Sequence, residues 1–264
     1  MSCKYSVNKN KTIGLVLSGG GARGIAHIGI LKALEELGVK PNIISGTSTG
    51  AAIGAFYAAG YSVSQIEEII LNNHFFHFSD FAWSNSGLLS THGNEEMFRK
   101  YFKHKSFKDL KLPLYISATD ILAGKTVFYA SGDVVNVILA SSALPLVFKP
   151  VKYKNRLLID GSTISCFPIE PLIKKCDMII GAYVNPVSKI KSISGMRNIF
   201  DRGIHLTLYK DVEKKKEFCD LFIEPPALRN YNMFDFKHGK DLLEIGYRYT
   251  IRQKEKISAL QFIK

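Results

Sequence analysis

Cysteine is scarce in this chain: Cys3, Cys166, Cys176 and Cys219 are the only four among 264 residues. Their spacings match neither a zinc ribbon nor a Cys-x-x-Cys redox pair. That excludes a disulfide-stapled miniprotein and leaves free thiols, as expected in a reducing cytoplasm. Long apolar runs are missing as well. The longest small-and-apolar stretch, Gly50 to Gly60, falls far short of the ~20 residues a membrane-spanning helix needs. Residues 2–11 are polar and basic, and the first apolar run, Ile13 to Leu17, meets Ser18-Gly19-Gly20-Gly21 at once. No signal-peptide core is recognised there, and a cytoplasmic protein is expected. With no repeat, linker or low-complexity segment, the expectation is a single domain over residues 1–264.

What is present is an ordinary globular composition, 46% hydrophobic and 22% charged, which rules out intrinsic disorder. Acidic residues are in deficit: 35 Lys and Arg stand against 23 Asp and Glu, a net charge of +12. Three windows account for that surplus: Lys4, Lys9 and Lys11; the stretch from Arg99 to Lys111; and Lys149, Lys152, Lys154 and Arg156. If they converge, they suit an anionic membrane surface, where each base contributes ~1 kcal/mol. The bland alternative is scattered solvated faces. No zinc-finger or RNA-recognition signature accompanies the charge, so no nucleic-acid partner is expected.

Hydrophobic periodicity gives the organisation. Thr12 to Leu17 reads as a buried strand, Ile25 to Leu37 as a helix, Asn42 to Gly46 as a second strand and Thr49 to Ala59 as an Ala-rich helix. Ser64 and Glu67 form a capping-box pattern ahead of a third helix. Further strands are expected at Leu114 to Asp120, Thr126 to Ala130, Arg156 to Asp160, Asp177 to Val184 and Asp220 to Glu224. Lys152 to Arg156 reads as a hairpin tip. Helical patterns cover Asn94 to Lys103, Val134 to Ser141, Met196 to Phe218 and His238 to Leu260. Strands alternating with helices predict an α/β fold with a mostly parallel sheet covered on both faces.

Three constellations can carry chemistry. Gly19-Gly20-Gly21-Ala22-Arg23-Gly24 lies between a strand and a helix, where backbone N–H groups converge on negative charge beside the positive end of the helix dipole. It also satisfies G-x-G-x-x-G, so a nucleotide-binding protein is one reading. That reading needs an acid near the end of the second strand, and Ile44-Ser45-Gly46-Thr47-Ser48 has none. Gly46-Thr47-Ser48-Thr49-Gly50 is a G-x-S-x-G on a strand-turn-helix, the context of a nucleophile elbow that presents Ser48. Asp160-Gly161 closes a short apolar strand, a pattern that is usually only a turn. A histidine base would have to be His205 or His238, each more easily read as structural or on the surface. His27 reads as a packing residue. The aromatics Phe75, Phe76, Phe78, Phe81 and Trp83 read as core first and as an acyl-chain lining second.

Taken together, these motifs resemble the patatin-like phospholipases, in particular small members related to the catalytic domain of neuropathy target esterase. A fourth element, Ala140-Ser141-Ser142-Ala143-Leu144-Pro145, matches the family's A-S-x-x-x-P pattern, and the order agrees over about residues 12–225. The resemblance implies a three-layer α/β/α sandwich and a serine acyl hydrolase acting on phospholipids, lysophospholipids or related esters without a cofactor or metal. It implies Ser48 as nucleophile, Asp160 as its only side-chain partner, and an oxyanion hole from Gly20 and Gly21 with Ala22, within the loop Gly19 to Gly24. Arg23 would fix that loop. Gly46 and Gly50 would frame the elbow. Two departures stand beside Asp160: Ser162 where family members carry Gly or Ala, and Cys166 near a position where Asn-Pro is frequent. A lipid-surface binding module with little turnover is the remaining alternative.

Overall fold

The computed structural model describes residues 11–72 and 92–262. In chain order its elements are β1 (Ile13–Leu17), α1 (Ala26–Glu36), β2 (Ile43–Gly46), α2 (Thr49–Ala58), α3 (Val63–Asn72) and α4 (His92–Phe102). There follow β3 (Leu114–Asp120), β4 (Lys125–Tyr129), α5 (Val134–Ser141), β5 (Val151–Tyr153), β6 (Arg156–Asp160) and β7 (Met178–Ala182). The chain ends with α6 (Met196–Lys215), β8 (Leu221–Ile223), α7 (Gly239–Ile251) and α8 (Lys254–Phe262).

One eight-stranded sheet organises these elements in the order β5-β6-β3-β2-β1-β7-β8, with β4 paired to β3. β3, β2, β1, β7 and β8 are mutually parallel, whereas β4, β5 and β6 join antiparallel. The α/β expectation therefore holds, with an antiparallel flank that lets a hairpin, rather than a helical crossover, deliver Asp160.

Strand alternation shows the three layers directly. Leu15 and Leu17 enter the core shared with α1, α2 and α7, while Val16 points into a second core with Leu208 and Val212 of α6. Both faces of β1 are thus covered, which is why it reads as an unbroken apolar run rather than an alternating one.

Several elements differ in detail from the sequence reading. The cap of α3 is Ser62 with Gln65, not Ser64 with Glu67: the Ser62 hydroxyl accepts from Gln65 N at 3.2 Å, and Gln65 Oε1 accepts from Ser62 N at 2.9 Å. Both pairs satisfy the sequence pattern, and only the first stands where the helix begins. The long pattern from His238 divides into α7 and α8 around Arg252-Gln253. There the Thr250 hydroxyl donates to Gly246 O at 2.9 Å, a back-bond that bends helices. The aromatic stretch from Phe75 to Trp83, together with Lys4, Lys9 and Cys3, lies outside the described residues.

Candidate active site

The turn from β2 into α2 places Ser48. Its backbone sits at φ 52° and ψ −123°, in the left-handed half of conformational space. For a residue with a Cβ that costs ~1–3 kcal/mol and persists only where neighbours enforce it. Here they do. Ser48 N donates to Ser141 Oγ at 2.8 Å, Thr47 N donates to Leu17 O at 3.2 Å, and the Thr47 and Ser117 hydroxyls meet at 2.5 Å. Gly46 is the last residue of β2, paired with Leu17 and Ile116. At Gly50, the second residue of α2, a Cβ would strike the carbonyl oxygens of Leu17 and Ser18, so glycine lets the helix start hard against β1. The serine side chain is left at the N-terminus of a helix buried along its whole length.

Asp160 ends β6, opposite Ala118 of β3. Its Oδ2 accepts the Ser48 hydroxyl at 2.8 Å, its Oδ1 accepts Ser162 N–H at 2.7 Å, and its own N–H donates to Ala143 O at 2.9 Å. Only 3% of the residue is exposed. Burial pushes the carboxyl up to about 6, against the pull of hydrogen bonds from Ser162 N–H and from the Ser48 and Ser162 hydroxyls. Of the two departures near this aspartate, Ser162 acts on the carboxylate through both its backbone and its side chain. Cys166 contributes its carbonyl to Gly19 N–H at 2.9 Å, a contact any residue can make.

The glycine loop follows β1 and enters a tight 3-10 turn, Gly21–Ile25, before α1. Gly19 N–H is taken by Cys166 O, Ala22 N–H by Met233 O at 2.9 Å, and Arg23 N–H by Gly20 O at 3.2 Å. Gly24 continues the turn. Among the described residues no acceptor takes the N–H of Gly20 or Gly21, so the free donors are narrower than the sequence expectation, which included Ala22. Gly21 has φ 55° with Met233 O against its Cα, a placement that admits only glycine.

Arg23 is 6% exposed and clamps the loop from behind. Its Nε donates to Tyr231 O at 2.7 Å, and its Nη1 stands 3.0 Å from His205 Nε2. That same imidazole nitrogen is 3.0 Å from Asn185 Oδ1, so it either accepts from the arginine or donates to the amide. Asn185 Nδ2 in turn donates to Gly19 O at 2.7 Å. His205 is therefore a buried structural residue. His238 pairs with Asp241 at 3.2 Å, and His27 is fully buried with Nε2 on Ser18 O at 2.9 Å. Burial pushes His27 down to about 4, which keeps it neutral. Among the described residues no histidine hydrogen-bonds to Ser48 or Asp160. Asn185 and Met233, both at the loop, went unnoticed in the sequence because no motif marks them.

A cavity of about 480 Å³ opens over Gly20, Gly21, Ser48 and Asp160. Leu144, Pro145, Leu146, Ile204 and Leu208 line it, with Met233, Phe234 and Phe236. Its walls are mostly hydrocarbon, the chemistry that receives an acyl chain. No described helix is long and apolar enough to cross a membrane. Among the described residues no group of three or more His, Cys, Asp or Glu side chains could hold a metal ion.

A parallel sheet with a strained serine elbow, a glycine loop one strand away and a strand-end aspartate in contact with the serine defines a class of α/β protein. The patatin-like phospholipase family profile matches residues 15–173, and the chain belongs to that family. It is 26% identical over 271 residues to the lysophospholipase NTE1 of Kluyveromyces lactis and 25% identical over 271 residues to that of Saccharomyces cerevisiae. Each alignment covers 90% of this chain but only 19% and 16% of those relatives, so the chain spans less than a fifth of their length. Among solved structures, VipD from Legionella pneumophila superposes with a TM-score of 0.61 at 13% identity, over 93% of this chain and 67% of that one, a likeness of fold.

Proposed function

We propose that this protein is a serine acyl hydrolase that cleaves carboxylic esters of phospholipids, lysophospholipids or related lipids. The observation that carries the reading is the 2.8 Å hydrogen bond from Ser48 Oγ to Asp160 Oδ2 at the floor of an apolar cavity. The lysophospholipase name of the curated relatives supports the lipid class.

In this reading Ser48 Oγ attacks the ester carbonyl carbon while its proton passes to Asp160. The oxyanion is received by the N–H groups of Gly20 and Gly21, where a single donor is worth ~10²–10³-fold. The departing alcohol takes the proton back from Asp160, leaving an acyl-serine. Water then adds to that ester, giving its proton to Asp160, and the fatty acid leaves as Ser48 regains its hydrogen. A carboxylate is a weak base towards a hydroxyl, and an Asp160 pushed up to about 6 is a stronger one while still ionised near neutrality. The N-terminus of α2 adds favourable potential for negative charge on Oγ.

Fluorophosphonate labelling tests the reading, because only an activated serine reacts. The expected result is one adduct on Ser48, lost in Ser48→Ala. An adduct that persists in that variant moves the site elsewhere, and the absence of any adduct favours a lipid-binding module. Peripheral contact with an anionic membrane belongs to the same proposal. Phe107 N donates to Gly132 O and Val134 N to Lys105 O, which ties the second basic window to the loop before α5. Lys154 of the third window overhangs the ring of Tyr153, whose hydroxyl lies beside Gly132. Arg99 is already paired with Asp133 at 2.6 Å, so it adds little to such a face.

A further inference from the structure

Behind the Arg23–His205 wall lies a second cavity of about 570 Å³, and its chemistry is the reverse of the first. Among the described residues, Arg23, Lys189, Arg202 and Arg229 line it together with one carboxylate, Asp235. Two of the guanidinium groups are held in place by backbone: Arg23 Nε donates to Tyr231 O at 2.7 Å, and Arg202 Nη2 to Ser188 O at 2.6 Å. Asp235 is itself engaged, accepting Asn232 N–H at 2.7 Å. Lys189 and Arg229 stand exposed at the rim. His205 belongs to the lining of both cavities, and Arg23 is part of the glycine loop.

From this we infer that the second cavity is a phosphate-binding pocket adjoining the ester site, suited to a glycerophosphate-sized anion. Guanidinium forks match phosphate oxygens two at a time, and an excess of cations in a recess attracts a small dianion more strongly than a neutral group. The recess is too small for a nucleic-acid duplex and too polar for a second acyl chain. Two sources supply that chemistry: the headgroup phosphate of a lipid whose ester lies over Ser48, or a free phosphorylated metabolite. The headgroup source rests on the ester-hydrolase reading above, whereas the binding itself does not.

Calorimetric titration separates the possibilities, using full-length Ser48→Ala protein so that no turnover intervenes. Glycerol 3-phosphate is expected to bind and glycerol not to, with affinity falling as salt rises. Adding Arg229→Ala, or separately Lys189→Ala, should weaken the binding about tenfold, in line with the loss of one charge-assisted contact. Both side chains are exposed, so the fold should survive either change, and circular dichroism checks it. Absence of glycerol 3-phosphate binding, or equal affinity in parent and variants, overturns the pocket. In protein with Ser48 intact, the ratio of kcat/KM for 1-acyl-glycerol 3-phosphate over 1-acyl-glycerol assigns the source. A tenfold fall of that ratio in Arg229→Ala identifies the lipid headgroup, and an unchanged ratio beside lost glycerol 3-phosphate binding identifies a free metabolite. If glycerol 3-phosphate binds as expected and no ester is hydrolysed, the hydrolase reading alone is lost.

Discussion

The elbow after β2 and the end of β6 hold the two contacting groups in opposite ways. Ser48 is held by backbone strain: its φ of 52° is enforced by Ser141, Leu17 and a close helix start at Gly50. Asp160 has a negative φ of −48° and none of that left-handed strain, and its tension is electrostatic, a carboxylate only 3% exposed and pushed up to about 6. The contrast teaches that a site can be poised from two sources at once, conformational for the proposed nucleophile and desolvation for its partner. Each source leaves a different experimental trace.

The largest expected effect removes the proposed nucleophile. Ser48→Ala should lower ester hydrolysis by ~10⁴-fold or more while far-UV circular dichroism stays unchanged, since only a hydroxyl is lost. Residual turnover within tenfold of the parent would remove Ser48 from the chemistry. Next comes Asp160→Asn, with an expected loss of ~10³–10⁴-fold in kcat/KM, because the amide keeps the size but cannot take the serine proton.

The same variant sharpens the comparison through stability. With Asp160 near 6 in the folded chain and near 3.8 unfolded, the folded state binds the proton more tightly. Its contribution to wild-type stability is therefore fully present below about pH 4 and is lost as the pH rises through about 6, by on the order of 3 kcal/mol. Asp160→Asn should consequently be more stable than the parent in urea at pH 7.5, with the gap closing at pH 4. A variant that is less stable at pH 7.5 would show that the carboxylate is not under desolvation stress.

A smaller effect concerns Ser162, whose hydroxyl helps hold the carboxylate ionised. Wild-type activity should rise with pH through a midpoint near 6, and Ser162→Ala should move that midpoint upward by a fraction of a unit. A downward shift would contradict the hydrogen-bond assignment. The smallest change is expected at His238, half-exposed, paired with Asp241 and packed edge-on against Tyr231. His238→Ala should leave kcat and the pH midpoint within twofold. A collapse there would revive a histidine-based triad.

The two contacting groups were not equally legible. Gly46 to Gly50 identifies itself because strain, glycine and helix start are local properties of five consecutive residues. Asp160-Gly161 reads as a common turn, and it acquires meaning only beside the other motifs, because the antiparallel pairing of β6 with β3 carries it across 112 residues to Ser48. The capping box illustrates the same limit on a smaller scale: Ser62-Gln65 and Ser64-Glu67 are equivalent as patterns, and packing of α3 chooses between them.

By itself the sequence determined the alternation of strands and helices, the position of the elbow and the glycine loop that follows β1, since each depends on side-chain period and backbone permission within a few residues. Tertiary structure alone decided which loop N–H groups stay free, because Met233 and Cys166 reach Ala22 and Gly19 from distant parts of the chain. It also decided that Asp160 is desolvated, that His205 serves Arg23 and Asn185, and that four cations share one recess. Burial, donor occupancy and charge convergence are sums over neighbours in space, and a one-dimensional chain specifies them only once it has folded.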